Sequence, residues 1–192
     1  MTTSATTPGG FPVAHHAPGS PLPAITVDDS ACAPNDLAQC GGVEITSAAD
    51  VRWNDLVDRA VASAWPGFEL LHGAAATVAD AVRDNVARYG QAVADVVASV
   101  RAVDRTDGAR RSFAFAECGF VPGGSRLAER LPDGGFRYEI LDVAFLLRQG
   151  DLTAPIRDDD LARALGVEPG TRVPLADAPR HGPRARAPPT TP

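Results

Sequence analysis

The stretch from Arg137 to Arg148 constrains this chain most. Leu141, Val143, Phe145 and Leu147 alternate on one face, and Tyr138, Ile140 and Leu146 lie on the other. Period-two alternation in a run rich in large apolar residues predicts a strand. A lone strand is not stable in water, so partners are required. Val43-Glu44-Ile45 and Val96 to Val103 are candidates. Phe113 and Phe115 follow a polar turn, Arg105 to Arg111, with Asp107-Gly108 at its centre, which is a hairpin signal.

Helical spacing interrupts these strands. Asp50 is the expected N-cap for Val51, Trp53, Leu56, Val57, Ala60, Val61 and Ala64, and Pro66-Gly67 ends that run. Val78, Ala81, Val82, Asn85, Val86 and Tyr89 fit a second helical face, with Gly90 as terminator. Asp158 to Asp160 precede a short helix, Leu161 to Leu165, that stops at Gly166. The expectation is an α+β fold, with short helices packed on a small mixed sheet.

Residues 1–42 are rich in Thr, Ser, Pro and Gly, and 178–192 in Pro, Arg, Ala and Thr. Such segments bury too little to offset their ordering entropy. Both are expected to be disordered tails, with one short strand around Ala24 to Val27, flanking a core at 43–177. A net charge of −6 argues against nucleic acid as a partner. No apolar run is long enough for a membrane helix, and three cysteines make no disulfide framework, so a reduced cytoplasmic setting is expected. All 18 basic residues are arginine, so lysine chemistry is excluded.

The residues by themselves carry no catalytic or metal site. CxxC, HExxH, GxSxG and Walker A patterns are missing from the sequence. His72 reads as a structural histidine, and Asp158 to Asp160 read as a helix start. Cys118 lacks a neighbouring base and reads as a structural thiol. Gly123-Gly124-Ser125-Arg126 reads as a surface turn rather than a phosphate cradle.

The order of segments nevertheless carries a resemblance. Trp53-Asn-Asp-Leu-Val-Asp-Arg-Ala-Val61 matches a W-x-x-L-V-x-x-A-V helix, and Gly67-Phe-Glu-Leu-Leu71 a G-L-E-x-L entry. Asn85-Val86 and Tyr89-Gly90-Gln91 match the end of G-x-P-G-S-V-G-A-x-P-x-Q-N-x-G-A-Y-G-x-E. Glu117-Cys118-Gly119-Phe120 and Ser125 match E-C-x-F-x-Y-R-x-S-x-F-K. Leu161 to Val167 and Pro174 to Asp177 continue the series. Together these pieces resemble the central portion of the UDP-N-acetylenolpyruvoylglucosamine reductases, or UDP-N-acetylmuramate dehydrogenases, of peptidoglycan synthesis.

The resemblance implies an oxidoreductase fragment spanning part of an FAD-binding and substrate domain, with FAD as cofactor, NADPH as co-substrate and a UDP-sugar as substrate. It assigns cofactor contacts to Gly73, Thr77, Asn85, Tyr89 and Gly90, and substrate contacts to Ser125 and Arg126. The departures fall on the chemistry. Gly73-Ala-Ala-Ala-Thr-Val-Ala-Asp80 replaces the glycine-rich flavin turn, and Ala79 stands where glycine lets backbone approach a ligand. Pro122-Gly123 replaces a Tyr-Arg pair whose arginine would stabilise developing negative charge. The family's G-x-G-S-N flavin loop has no counterpart in residues 1–42, and the chain stops before the family's last domain. A truncated, degenerate relative with no catalytic residue is therefore expected, either a nucleotide-sugar or protein-binding module or a gene remnant. Apolar surface left open by the truncation predicts self-association. Read one base later, GC-rich codons for Pro179 to Ala187 yield Arg-Ala-Thr-Val-Leu-Ala-Leu, similar to the family's next helix, so a shifted frame is expected there.

Overall fold

The computed structural model describes residues 25–28 and 42–179. The disorder expected for the rest of the two tails, the shifted frame beyond Pro179, and Cys32 and Cys40 lie outside the described residues. The short strand expected near Val27 is β1, Ile25–Asp28. β2 spans Gly42–Ala48, and β1 adds to its outer edge. Helices α1, Trp53–Ala62, and α2, Val78–Arg83, follow. A small hairpin of β3, Ala87–Arg88, and β4, Gln91–Ala92, comes next. β5, Val97–Asp104, turns through Asp107-Gly108 into β6, Arg110–Ala114, as the sequence predicts. β7, Tyr138–Arg148, and helix α3, Asp159–Leu165, complete the order.

Five strands form one sheet in the order β1-β2-β7-β5-β6. Every neighbouring pair is antiparallel, which corrects the expected mixed sheet. The helical crossover between β2 and β5 does make those two strands parallel to each other. β7 arrives late in the chain and inserts between them, pairing antiparallel with both.

The alternation in β7 is not continuous either. Arg101 pairs with Asp142 and Ala102 with Ile140, so Leu141 is an extra residue, a β-bulge. The bulge shifts the phase. Tyr138 and Ile140 are buried before it, and Val143, Phe145 and Leu147 after it. Leu141 and Leu146 are left exposed, so the expected grouping of Leu141 with Val143 fails.

Two helix boundaries also differ. The N-cap of α1 is Arg52 rather than Asp50, and it makes no side-chain cap. The Trp53 N–H instead donates to the Ala76 carbonyl at 3.0 Å. α2 stops at Arg83 instead of running to Tyr89. Asn85 takes a φ of 42°, and its side chain is bound on both sides by other segments, which ends the helix.

The main core lies between one face of the sheet and α1 with α2. Phe68 is edge-on to Trp53 at 5.2 Å and to Phe145 at 5.0 Å, centroid to centroid. The Trp53 indole N–H donates to the Leu71 carbonyl at 2.9 Å, so its one polar atom is satisfied. A second, smaller cluster joins Leu70, Ile156, Leu161 and Ala162, with Tyr89 packed against it.

Candidate functional site

The residues singled out by the sequence fall in three places. The first is the start of α2. Gly73 has a φ of +76° and donates its N–H to Asn54 Oδ1 at 2.7 Å. Thr77 is the N-cap of α2. Its Oγ1 accepts the Asp80 N–H at 3.2 Å, and Asp80 Oδ2 accepts the Thr77 N–H at 3.2 Å and the Thr77 hydroxyl at 2.7 Å. The Val78 N–H donates to the Val51 carbonyl at 3.0 Å, and the Ala79 N–H to the Ala49 carbonyl at 2.9 Å. All four amides of this turn are thus used within the chain. A carboxylate already sits where the positive end of the helix dipole would draw an external anion.

The second place is the loop that covers the far end of α2. Asn85 Nδ2 donates to the Val121 carbonyl at 2.9 Å, and its Oδ1 accepts the Ala94 N–H at 3.2 Å. Ser125 Oγ donates to the Arg83 carbonyl at 3.1 Å. The Arg126 guanidinium stands 5.5 Å from the Phe113 ring centroid and 6.0 Å from that of Tyr138. Its backbone N–H donates to the Cys118 carbonyl at 2.8 Å. Gly123, where the resemblance would place an arginine, has a φ of +77° in a tight turn closed by Val121 and Gly124. Burial, with a smaller push from Glu117, raises the Cys118 thiol to about 11, so it stays protonated and unreactive near neutral pH. Arg83 packs over the Phe136 ring at 4.1 Å, and burial lowers its pKa.

The third place is a pocket of about 390 Å³ between the connection after α1 at Pro66-Gly67, the β3–β4 hairpin and the segment leading into α3. Tyr89, with a φ of 53°, and Gly90, with a φ of 76°, line it at the hairpin tip. Gln91, Arg148, Arg157 and Arg172 line it too, and sequence reading does not single them out as a site. They lie far apart in the chain and share no local pattern. Gly67 shapes the wall. A Cβ there would stand 2.8 Å from Leu147 and 2.9 Å from Val96, and its φ is +144°.

The structure therefore brings Asn85 and Ser125 to one loop and Tyr89 and Gly90 to one pocket, and it leaves Gly73 and Thr77 at the opposite end of α2 from the loop. His72 is largely buried, with Nε2 3.7 Å from Asp58 Oδ1. Asp158 caps α3 through the Leu161 N–H at 2.8 Å, as expected of a helix start. Among the described residues no His, Cys, Asp and Glu side chains group as a metal site. No helix among them is long and apolar enough to cross a membrane.

An antiparallel sheet with helices on one face, joined to a small α3 unit, defines an α+β module. Its relatives are specific. It is 39% identical over 138 residues to the UDP-N-acetylenolpyruvoylglucosamine reductase of Cutibacterium acnes, covering 72% of this chain and 36% of that protein. The reductase of Streptomyces avermitilis is 39% identical over 138 residues, covering 71% of this chain and 37% of that protein. The reductase of Thermobifida fusca is 37% identical over 135 residues, covering 70% and 36%. The chain is a relative of the UDP-N-acetylenolpyruvoylglucosamine reductases and spans a little over a third of the length of those it matches. The crystal structure of the reductase from Thermus caldophilus is 30% identical, covers 50% of this chain and 32% of its own, and superposes with a TM-score of 0.40, which adds nothing to the sequence relationship. No family model matches the chain.

Proposed function

We propose that this chain is a non-catalytic relative of the reductase, a binding module that neither holds FAD nor transfers hydride. The observation that carries this reading is the first turn of α2. Its four amides bond to Thr77, Asp80, Val51 and Ala49, and Asp80 places negative charge before them. A flavin diphosphate at this turn would meet a carboxylate and no vacant donor, so the residues present do not fit the group. The loop supports the same reading. Gly123 offers no side chain to a developing enolate, and Ser125 and Arg126 are engaged by Arg83 and by the Phe113 and Tyr138 rings. NADPH and the UDP-sugar accordingly have no reacting partner on this chain.

Self-association belongs to the same proposal. Phe115, Val121 and Leu146 are large apolar side chains left exposed, with Leu146 at 58%. A reduced, cytoplasmic setting is consistent with the buried, protonated Cys118 thiol.

The test is NADPH oxidation by the purified chain with added FAD and UDP-N-acetylenolpyruvoylglucosamine. The expected rate equals that of the protein-free control. Substrate-dependent oxidation of NADPH above that control would overturn the reading.

A further inference from the structure

We propose that the pocket between the β3–β4 hairpin and the approach to α3 binds a small organic phosphate of about nucleoside-monophosphate size. Its lining includes three arginines from three separate segments, Arg148 at the end of β7, Arg157 before α3, and Arg172. The side chains of Arg148 and Arg157 form no ion pair or hydrogen bond among the described residues. Arg172 spends one N–H on the Thr153 carbonyl at 3.1 Å. Asp95 is the acid among the lining residues, and its Oδ2 accepts the Ala92 N–H at 2.9 Å. Three cations around one opening repel each other unless an anion lies between them, and arginine's planar fork matches phosphate oxygens.

The wall supplies a second, independent observation. Gln91 lines the pocket and is 5% exposed. Its Oε1 accepts the Leu70 N–H at 2.9 Å, which fixes the orientation of the amide. Nε2 is then buried with no acceptor. Buried donors in folded proteins are normally paired, so an unpaired one on a residue that lines a cavity calls for an acceptor. Pro66, Leu70, Tyr89 and Pro155 give the rest of the lining an apolar character suited to a ring. The volume, about 390 Å³, lies within the range of small-molecule sites.

This site is separate from the turn considered for flavin. Ala48 at the α2 end of the sheet pairs with Asp142, while the pocket adjoins Arg148. Six residues of strand separate them, roughly 20 Å.

The experiment is calorimetric titration of the full chain with adenosine 5′-monophosphate, adenosine and inorganic phosphate, repeated on the double variant Arg148→Gln/Arg157→Gln. Both arginines are exposed, so the variant should melt at the temperature of the parent. The expected result is saturable binding of the monophosphate, weaker binding of inorganic phosphate, none of adenosine, and at least a tenfold loss for the monophosphate in the variant. Binding of inorganic phosphate as tight as that of the monophosphate overturns the organic ligand. No saturable binding of either, or equal binding by parent and variant, overturns the site itself. FAD added as competitor separates the two proposals. Uptake of FAD that leaves monophosphate binding intact defeats the non-flavin reading alone, whereas displacement of the monophosphate by FAD defeats the separate site.

Discussion

The sheet with α1 and α2 and the C-terminal unit around α3 are held in different ways. In the first, Trp53, Phe68 and Phe145 stack edge to face across the helix–sheet contact, and buried residues from α1, α2 and four strands converge on them. In the second, four buried apolar residues make a small cluster, and a buried carboxylate ties the unit to the rest. Glu69 is buried, with Oε2 accepting the Gly67 N–H at 2.6 Å and Oε1 accepting the Ala154 N–H at 2.7 Å. Hydrophobic packing gains from every added neighbour, whereas this carboxylate reaches the C-terminal unit through one bond, from the Ala154 N–H, while the Gly67 N–H fixes its orientation. The lesson is that the pocket lies along the less redundantly fastened boundary, where rearrangement disturbs the fewest contacts.

That contrast can be broken from either side. Phe68→Ala should cost about 3–5 kcal/mol, because it removes a fully buried ring from between two others. Urea unfolding should show the whole molecule losing stability together. Glu69→Ala should cost about 2–4 kcal/mol by leaving two N–H groups without acceptors. Here hydrogen exchange should accelerate in residues 151–178 while amides of β5 and β7 keep their protection. Equal acceleration in the sheet would remove the distinction between the two regions.

Acid sharpens the comparison. Asp104, at the end of β5, is held well below the ordinary carboxylate range, chiefly by hydrogen bonds from Arg137 and then by those from Thr106. Because its folded pKa is depressed, the unfolded chain takes up the proton first as pH falls. The stabilisation is complete above the unfolded value of about 3.9 and is lost below it, toward the folded pKa. Urea midpoints should therefore not change through this group between about pH 5 and pH 7 and should fall below about pH 4. Asp104→Asn should lower the neutral-pH midpoint and shrink that acid loss.

The smallest effect concerns the end of α1. Ala64 has a φ of 58°, with the Trp65 N–H donating to the Ala60 carbonyl at 2.9 Å, the left-handed stop that glycine adopts without strain. Ala64→Gly should raise stability by about 0.5–1 kcal/mol in the same urea measurement.

Much of this architecture was legible in the residues. β7 follows from apolar alternation, β2 and β5 from the apolar runs at Val43-Glu44-Ile45 and Val96 to Val103, and Asp107-Gly108 marks the hairpin. What was not legible came from tertiary contacts. Asn85 ends α2 through bonds to Val121 and Ala94, one from a loop far along the chain. The Leu141 bulge is defined only against Arg101 and Ala102 on the neighbouring strand. Ala76 caps α1 in place of Asp50 because the chain folds back across the helix start. The same holds for function. The α2 turn was readable because its replacements are consecutive, from Gly73 to Asp80. The pocket was not, because Gln91, Arg148, Arg157 and Arg172 converge only in the fold.

The central claim is that the self-satisfied first turn of α2 leaves no place for a flavin. The most direct test is the visible absorption spectrum of FAD titrated with the purified protein. The account predicts a spectrum unchanged from free FAD at every protein concentration. A saturable shift of the flavin bands by folded protein would contradict it.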